Sequence, residues 1–67
     1  MEISARNQLK GVVTEVKRGA VSAEVVVDIG GQSIASTITV GSLDRLGLRA
    51  GDKVTAIIKA SDVIIGK

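Results

Sequence analysis

The chain has 67 residues, enough for one domain, and 45% of them are apolar although Phe, Trp, Tyr, Cys, His and Pro are all absent. The lack of Cys and His removes zinc fingers, haem ligation, disulfide frameworks and the commonest nucleophile–base pairs, and no apolar run reaches the ~18 residues of a membrane span. Nine Lys/Arg against seven Asp/Glu leave a net charge of +2, a balance that does not demand a polyanionic partner.

Val, Ile and Thr make up 22 of the 67 residues, a composition suited to the half-buried surface of a sheet. The polar start from Met1 to Gln8 has no signal-peptide character, so a cytoplasmic protein is the expectation. A first strand is predicted from Gln8 to Lys17, ended by the turn Arg18-Gly19-Ala20, where Gly19 can take a positive φ. A second strand runs from Val21 to Ile29, and its Val25-Val26-Val27 run suggests cover on both faces. Gly30-Gly31 is a two-residue hairpin signal. A third strand follows from Gln32 to Val40, with Ile34, Ser36, Ile38 and Val40 on one face and Ala35, Thr37 and Thr39 on the other.

Gly41-Ser42 breaks that alternation. Ser42 is the expected N-cap of a short helix from Leu43 to Leu46, with Asp44 in its first turn, Leu43 and Leu46 on one face, and Gly47 as the C-terminal stop. After the turn Ala50-Gly51-Asp52, a fourth strand is predicted from Lys53 to Ala60 and, past Ser61-Asp62, a fifth over Val63-Ile64-Ile65. Three strands, a short helix and two strands are the element order of a five-stranded OB-fold Greek-key barrel. A small sandwich or an SH3-like barrel competes. The expected class is all-β, one domain over residues 1–67.

Size bears on assembly. A domain near 60 residues buries only about 60% of its chain's surface, and below ~70–80 residues a lone core usually needs a disulfide, a metal or oligomerisation. Disulfides are excluded here, aromatic rings are absent and the mean hydropathy is positive. The composition therefore predicts apolar surface buried between subunits, with a compact monomer as the weaker alternative.

OB barrels that bind single-stranded nucleic acid use aromatic rings to stack on bases. With no rings and only Lys17-Arg18 adjacent among the basic residues, nucleic acid is disfavoured. A small oxyanion needs no rings, only convergent N–H and O–H donors and one or two fixed cations. Three places offer these: Ser4 and Arg6 around Ala5, Thr39 and Ser42 around the helix start, and Lys59-Ala60-Ser61 at the end of the fourth strand. Each also has an ordinary structural role, as frayed terminus, helix cap, strand former or solvated edge charge. Spacing alone does not bring the three together. No two carboxylates, and no nucleophile and base, stand at a recognisable catalytic spacing, so an enzyme is not expected.

The stretch Ile3-Ser4-Ala5-Arg6-Asn7-Gln8-Leu9-Lys10-Gly11 resembles the opening signature of the molbindins, small molybdate-binding proteins of the Mop family built on a TOBE-like OB domain. Ala23-Glu24-Val25, Leu46-Gly47-Leu48 and Val54-Thr55-Ala56 leading to Lys59-Ala60-Ser61-Asp62-Val63 extend the likeness over the whole chain. The resemblance implies a barrel completed by strand exchange between subunits and a homohexamer built as a trimer of dimers. It implies molybdate or tungstate bound at subunit interfaces, for intracellular molybdenum storage and homeostasis, with no further cofactor and no directly ligated metal cation. It places the anion against Ser4, Arg6 and Lys59 of one subunit and Thr39 and Ser42 of the neighbour. Backbone N–H groups around Ala5 and Ala60 join them, with Ser61 a weaker member, and a second site falls near Arg18, Gly19, Ala20, Val21 and Ser22. The alternatives are an OB-fold nucleic-acid module and an oligomeric interaction module without a small-molecule ligand.

Overall fold

The computed structural model describes residues 1–67. Its organising element is β1 (Asn7–Arg18), which serves two neighbours in turn. The first half of β1 pairs antiparallel with β4 (Lys53–Ile58), from Asn7 opposite Ile58 to Val12 opposite Lys53. The second half pairs antiparallel with β2 (Ser22–Asp28), from Val12 opposite Asp28 to Arg18 opposite Ala23. The changeover is made by a β-bulge between Val13 and Glu15 that leaves Thr14 without a partner of its own. A bulge bends the strand and increases its twist, so the sheet curls. The Thr14 hydroxyl donates to the Val26 carbonyl across the bulge (3.3 Å). Gly11 makes room for the curl, since a Cβ there would stand 2.4 Å from the Asp28 carbonyl oxygen.

A hairpin joins β2 to β3 (Ser33–Thr39), and the sheet order is β3-β2-β1-β4. Gly30 and Gly31 both hold positive φ (105° and 93°), and Asp28 Oδ1 accepts from both of their N–H groups. The inward faces carry the core of Val13, Ala23, Val25, Val27 and Leu43. Val26 points outward and is half-buried, so the β2 run is fully covered on one face only. In the β1–β2 turn Gly19 does not take a positive φ. Its missing side chain serves a close approach instead, because a Cβ would meet the Ser22 carbonyl oxygen at 2.7 Å.

The helix starts earlier than its sequence suggests. α1 spans Val40–Leu46, and its N-cap is Thr39, not Ser42. Thr39 is extended (φ −71°, ψ 152°) and its Oγ1 accepts the Ser42 N–H at 3.0 Å. Ser42 is thus the third helical residue, and Val40 opens the helix where the alternation continued a strand. Asp44 in turn lies beyond the first turn, which holds no acidic residue. Leu43 is buried, whereas Leu46 is 62% exposed. Gly47 closes the helix in the left-handed region (φ 61°, ψ 38°), and the Leu48 N–H reaches back to the Leu43 carbonyl (3.3 Å).

The chain forms four strands, not five. β4 ends at Ile58, and Ala60–Asp62 wind into one 3-10 turn in place of the strand's last residues. Val63, Ile64 and Ile65 then run on unpaired, with Ile64 92% exposed. The outer strands β3 and β4 do not pair with each other. Between them lies an apolar cleft of about 280 Å³ lined by Val25, Ile34, Ile38, Leu46, Val54 and Ile58 among others.

Candidate oxyanion site

The β1–β4 register determines where the first donors stand. Its last pair is Asn7 with Ile58, so Arg6 and Lys59 are the residues by which the two chain segments leave the sheet side by side. Ser4 and Ala5 continue from one segment, Ala60 and Ser61 from the other. Ser4 lies in a bend and Ala60–Asp62 form the 3-10 turn. The ladder therefore ends at this place, freeing backbone N–H groups from sheet pairing. The Gln8 side chain ties the N-terminal segment down, its Nε2 donating to the Ala5 carbonyl at 2.7 Å. Ala5 is half-buried, while Ser4, Arg6, Lys59, Ala60 and Ser61 are exposed. The two ion pairs of the protein, Lys17–Glu15 and Arg18–Asp44, involve neither Arg6 nor Lys59. Arg6 and Lys59 are thus the first residues beyond the ladder on the two strands, and both cations are free to meet an anion.

Thr39 and Ser42 form a second group, brought together by the helix start. Thr39 Oγ1 donates to Ser42 Oγ at 3.0 Å while accepting the Ser42 N–H, and Arg45 Nη2 donates to Ser42 Oγ at 3.4 Å. The two hydroxyls hold two protons and share one internal bond, so the pair has one O–H left to give outward. Thr39 ends β3, whereas Lys59 follows β4, and these strands are the opposite edges of the sheet. No side-chain hydrogen bond or ion pair connects the two groups within the chain.

In the β1–β2 turn, Gly19 donates to the Ser22 carbonyl (2.9 Å), Val40 donates to the Val21 carbonyl (2.9 Å), and Val21 is 78% exposed. Arg18 is already engaged. Its Nη1 and Nη2 donate to Asp44 Oδ1 and Oδ2 at 2.7 and 2.8 Å, a bidentate fork. That hydrogen bonding, reinforced by the opposite charge, raises the Arg18 pKa above its ordinary value. The same hydrogen bonds hold the Asp44 carboxyl below its ordinary value. An oxyanion seeking Arg18 competes with a carboxylate held in place. Sequence reasoning missed this pair because 26 residues separate its members and only the fold joins them. It also missed Arg45, although an i, i+3 spacing from Ser42 is a helical neighbour relation, and Gln8, for which spacing gives no signal. No group of three His, Cys, Asp or Glu gathers that could hold a metal ion.

Residues 3–65 match the TOBE domain. The chain is 53% identical over 66 residues to molybdenum-pterin-binding protein 3 of Clostridium pasteurianum, covering 97% of each. The chain is a TOBE-domain protein of the Mop family. Among solved structures, the molybdate-binding protein of Sporomusa ovata is similar over 100% of both chains, with a TM-score of 0.95 and 42% identity. The cytoplasmic molybdate-binding protein ModG, solved with molybdate bound, is 45% identical with a TM-score of 0.91 over 96% of this chain and 46% of that one. The likeness to these Mop proteins extends over the curled four-stranded sheet and its short helix, the parts that position both donor groups.

Proposed function

We propose that this Mop-family chain binds molybdate, and tungstate with it, at interfaces between copies of itself. Arg6 and Lys59 supply the charge, Ser4 and the backbone N–H groups around Ala5 and Ala60 supply donors, and Ser61 stands at the margin. The remaining O–H comes from the Thr39–Ser42 pair of a neighbouring copy. The observation that carries this reading is the β1–β4 register, which ends at Asn7 opposite Ile58, so that Arg6 and Lys59 each follow the last pair with no carboxylate paired to either. The placement of the two donor groups on opposite sheet edges supports a site divided between subunits, and the binding named for the relatives supports the ligand. The Arg18–Ser22 turn serves as a second, weaker site, since Asp44 must first release Arg18.

The donor set selects for a fully deprotonated anion. Its side chains offer N–H and O–H groups and two cations, with no Asp or Glu among them. A protonated phosphate brings an O–H for which the set holds no carboxylate acceptor, and a buried donor left unpaired costs about 1–3 kcal/mol. Sulfate carries the same charge as molybdate and no proton. Its exclusion rests on size, its shorter bonds leaving the donors out of reach. Nothing in such a site performs chemistry on the anion, and the role is binding, for storage and buffering of molybdenum in the cytoplasm.

A homohexamer, assembled as a trimer of dimers with the apolar tail exchanged between barrels, is the proposed form. Equilibrium dialysis against molybdate, with molybdenum counted per subunit, tests the reading. Wild-type protein should take up molybdate in preference to sulfate, and Arg6→Ala should lose most of the uptake. Equal uptake of sulfate, or full uptake by Arg6→Ala, overturns it.

A further inference from the structure

The geometry points to Gln8 as the positioning residue of the anion-binding loop, an inference that rests on the reading of Ser4–Arg6 as an oxyanion site. Gln8 Nε2 donates to the Ala5 carbonyl at 2.7 Å, the shortest side-chain-to-backbone hydrogen bond in the protein. Gln8 itself is anchored, paired with Ile57 in the β1–β4 ladder, whereas residues 1–6 have no strand pairing of their own. The hydrogen bond thus transfers the rigidity of the sheet to a segment that lacks it.

The direction of the bond matters as much as its existence. The Ala5 carbonyl belongs to the same peptide unit as the Arg6 N–H. A trans peptide is planar and points these two groups in opposite directions. Fixing the carbonyl toward Gln8 fixes the Arg6 N–H away from it. The carboxamide also occupies a carbonyl lone pair that would repel an anion if it swung into the site. A loop already ordered in its bound form avoids the ordering cost on binding. Gln8 donates nothing to the anion in this account; it acts through the Ala5–Arg6 peptide.

Two substitutions remove the donor while keeping the side chain's length, Gln8→Met and Gln8→Glu. Molybdate titration of wild type and both variants is paired with ligand-free melting temperatures and the ¹⁵N order parameter of the Arg6 amide. Wild type should show a rigid Arg6 amide, near 0.85, falling toward about 0.6 in Gln8→Met. The Kd for molybdate should rise about tenfold in Gln8→Met, because the loop then has to be ordered on binding. It should rise further in Gln8→Glu, whose carboxylate repels the anion, with the ligand-free melting temperature unchanged in both. A Gln8→Met protein that binds within twofold of wild type overturns the inference. So does a melting temperature that falls in step with affinity, which marks a merely structural role. Should Gln8→Met fail to fold, Gln8→Leu, which lacks both donor and charge, carries the same comparison. If wild type takes up no molybdate, the binding reading falls, and the Arg6 order parameter still decides whether Gln8 holds the peptide.

Discussion

Thr39 and Asp44 show how single side chains hold this small fold where its core cannot. Thr39 satisfies the Ser42 N–H and engages the Ser42 hydroxyl in one motion, so the cap that starts α1 also holds part of the proposed site. Asp44, five residues on, ties α1 to the far end of β1 through Arg18. Its lowered pKa has a definite consequence for pH. A carboxyl held below its unfolded value contributes stability that is fully present above that value, and the contribution disappears as pH falls through the folded one. The window therefore lies below the ordinary Asp value of 3.8, and at neutral pH the fork is intact. Both partners are exposed, so the energy involved is small. Carboxyl ¹³C shifts followed against pH should place the Asp44 midpoint below 3.8 in wild type and return it to about 3.8 in Arg18→Ala. A midpoint that does not move between the two proteins removes the fork from solution.

Among the elements, β1 does the most, because one strand must serve both β2 and β4. The bulge at Thr14 and the bare backbone at Gly11 are its two devices. A methyl at Gly11 would meet the Asp28 carbonyl oxygen at 2.4 Å and Val27 Cγ1 at 2.6 Å. The first of these is backbone of the paired strand, so β2 itself has to move. Gly11→Ala should cost about 1–3 kcal/mol, as overpacking does, read as a lower urea midpoint with an unchanged slope. A midpoint equal to wild type shows that the strands separate freely here. Much of this architecture was legible beforehand. Strong alternation and glycine-marked turns place β1 to β4 within one or two residues, and Gly47 marks the stop of α1. The start of α1 was not legible, because Val40-Gly41 has the look of a strand end and a threonine fits a strand as well as a cap. The bulge was hidden as well, since one inserted residue in a Val-rich strand leaves no mark until its partner is known. For the proposed site, the sequence offers donor types but no placement, and the ladder end that precedes Arg6 and Lys59 follows from a register that sequence does not print. The Arg18–Asp44 fork and the Gln8 clamp depend on the folded backbone.

At the scale of the whole molecule, surface area makes the case for assembly. A compact monomer of 6.9 kDa exposes roughly 4,000 Å², whereas this chain exposes 5268 Å². The excess, about 1,300 Å², exceeds the roughly 800 Å² that each partner of a standard interface buries. Only five residues are buried, while Val21, Leu46, Ile64 and Ile65 are 62% exposed or more. Apolar surface appears in two complementary forms, a cleft between β3 and β4 and a tail from Val63 to Ile65 that pairs with nothing in its own chain. A tail seated in a neighbour's cleft would supply the missing fifth strand and cover both surfaces. Only Asp62 separates the tail from Lys59–Ser61, so seating it would also steady the donors of the proposed site. Loss of residues 63–67 should therefore lower the native mass below that of the full chain. It should also abolish the rise in melting temperature expected with molybdate under the proposed binding, about 2.7 kcal/mol of stabilisation at a hundredfold excess over Kd. Native mass spectrometry with and without molybdate reads both subunit number and bound anions. A truncated chain that keeps the full assembly and its anions would show that the tail closes nothing.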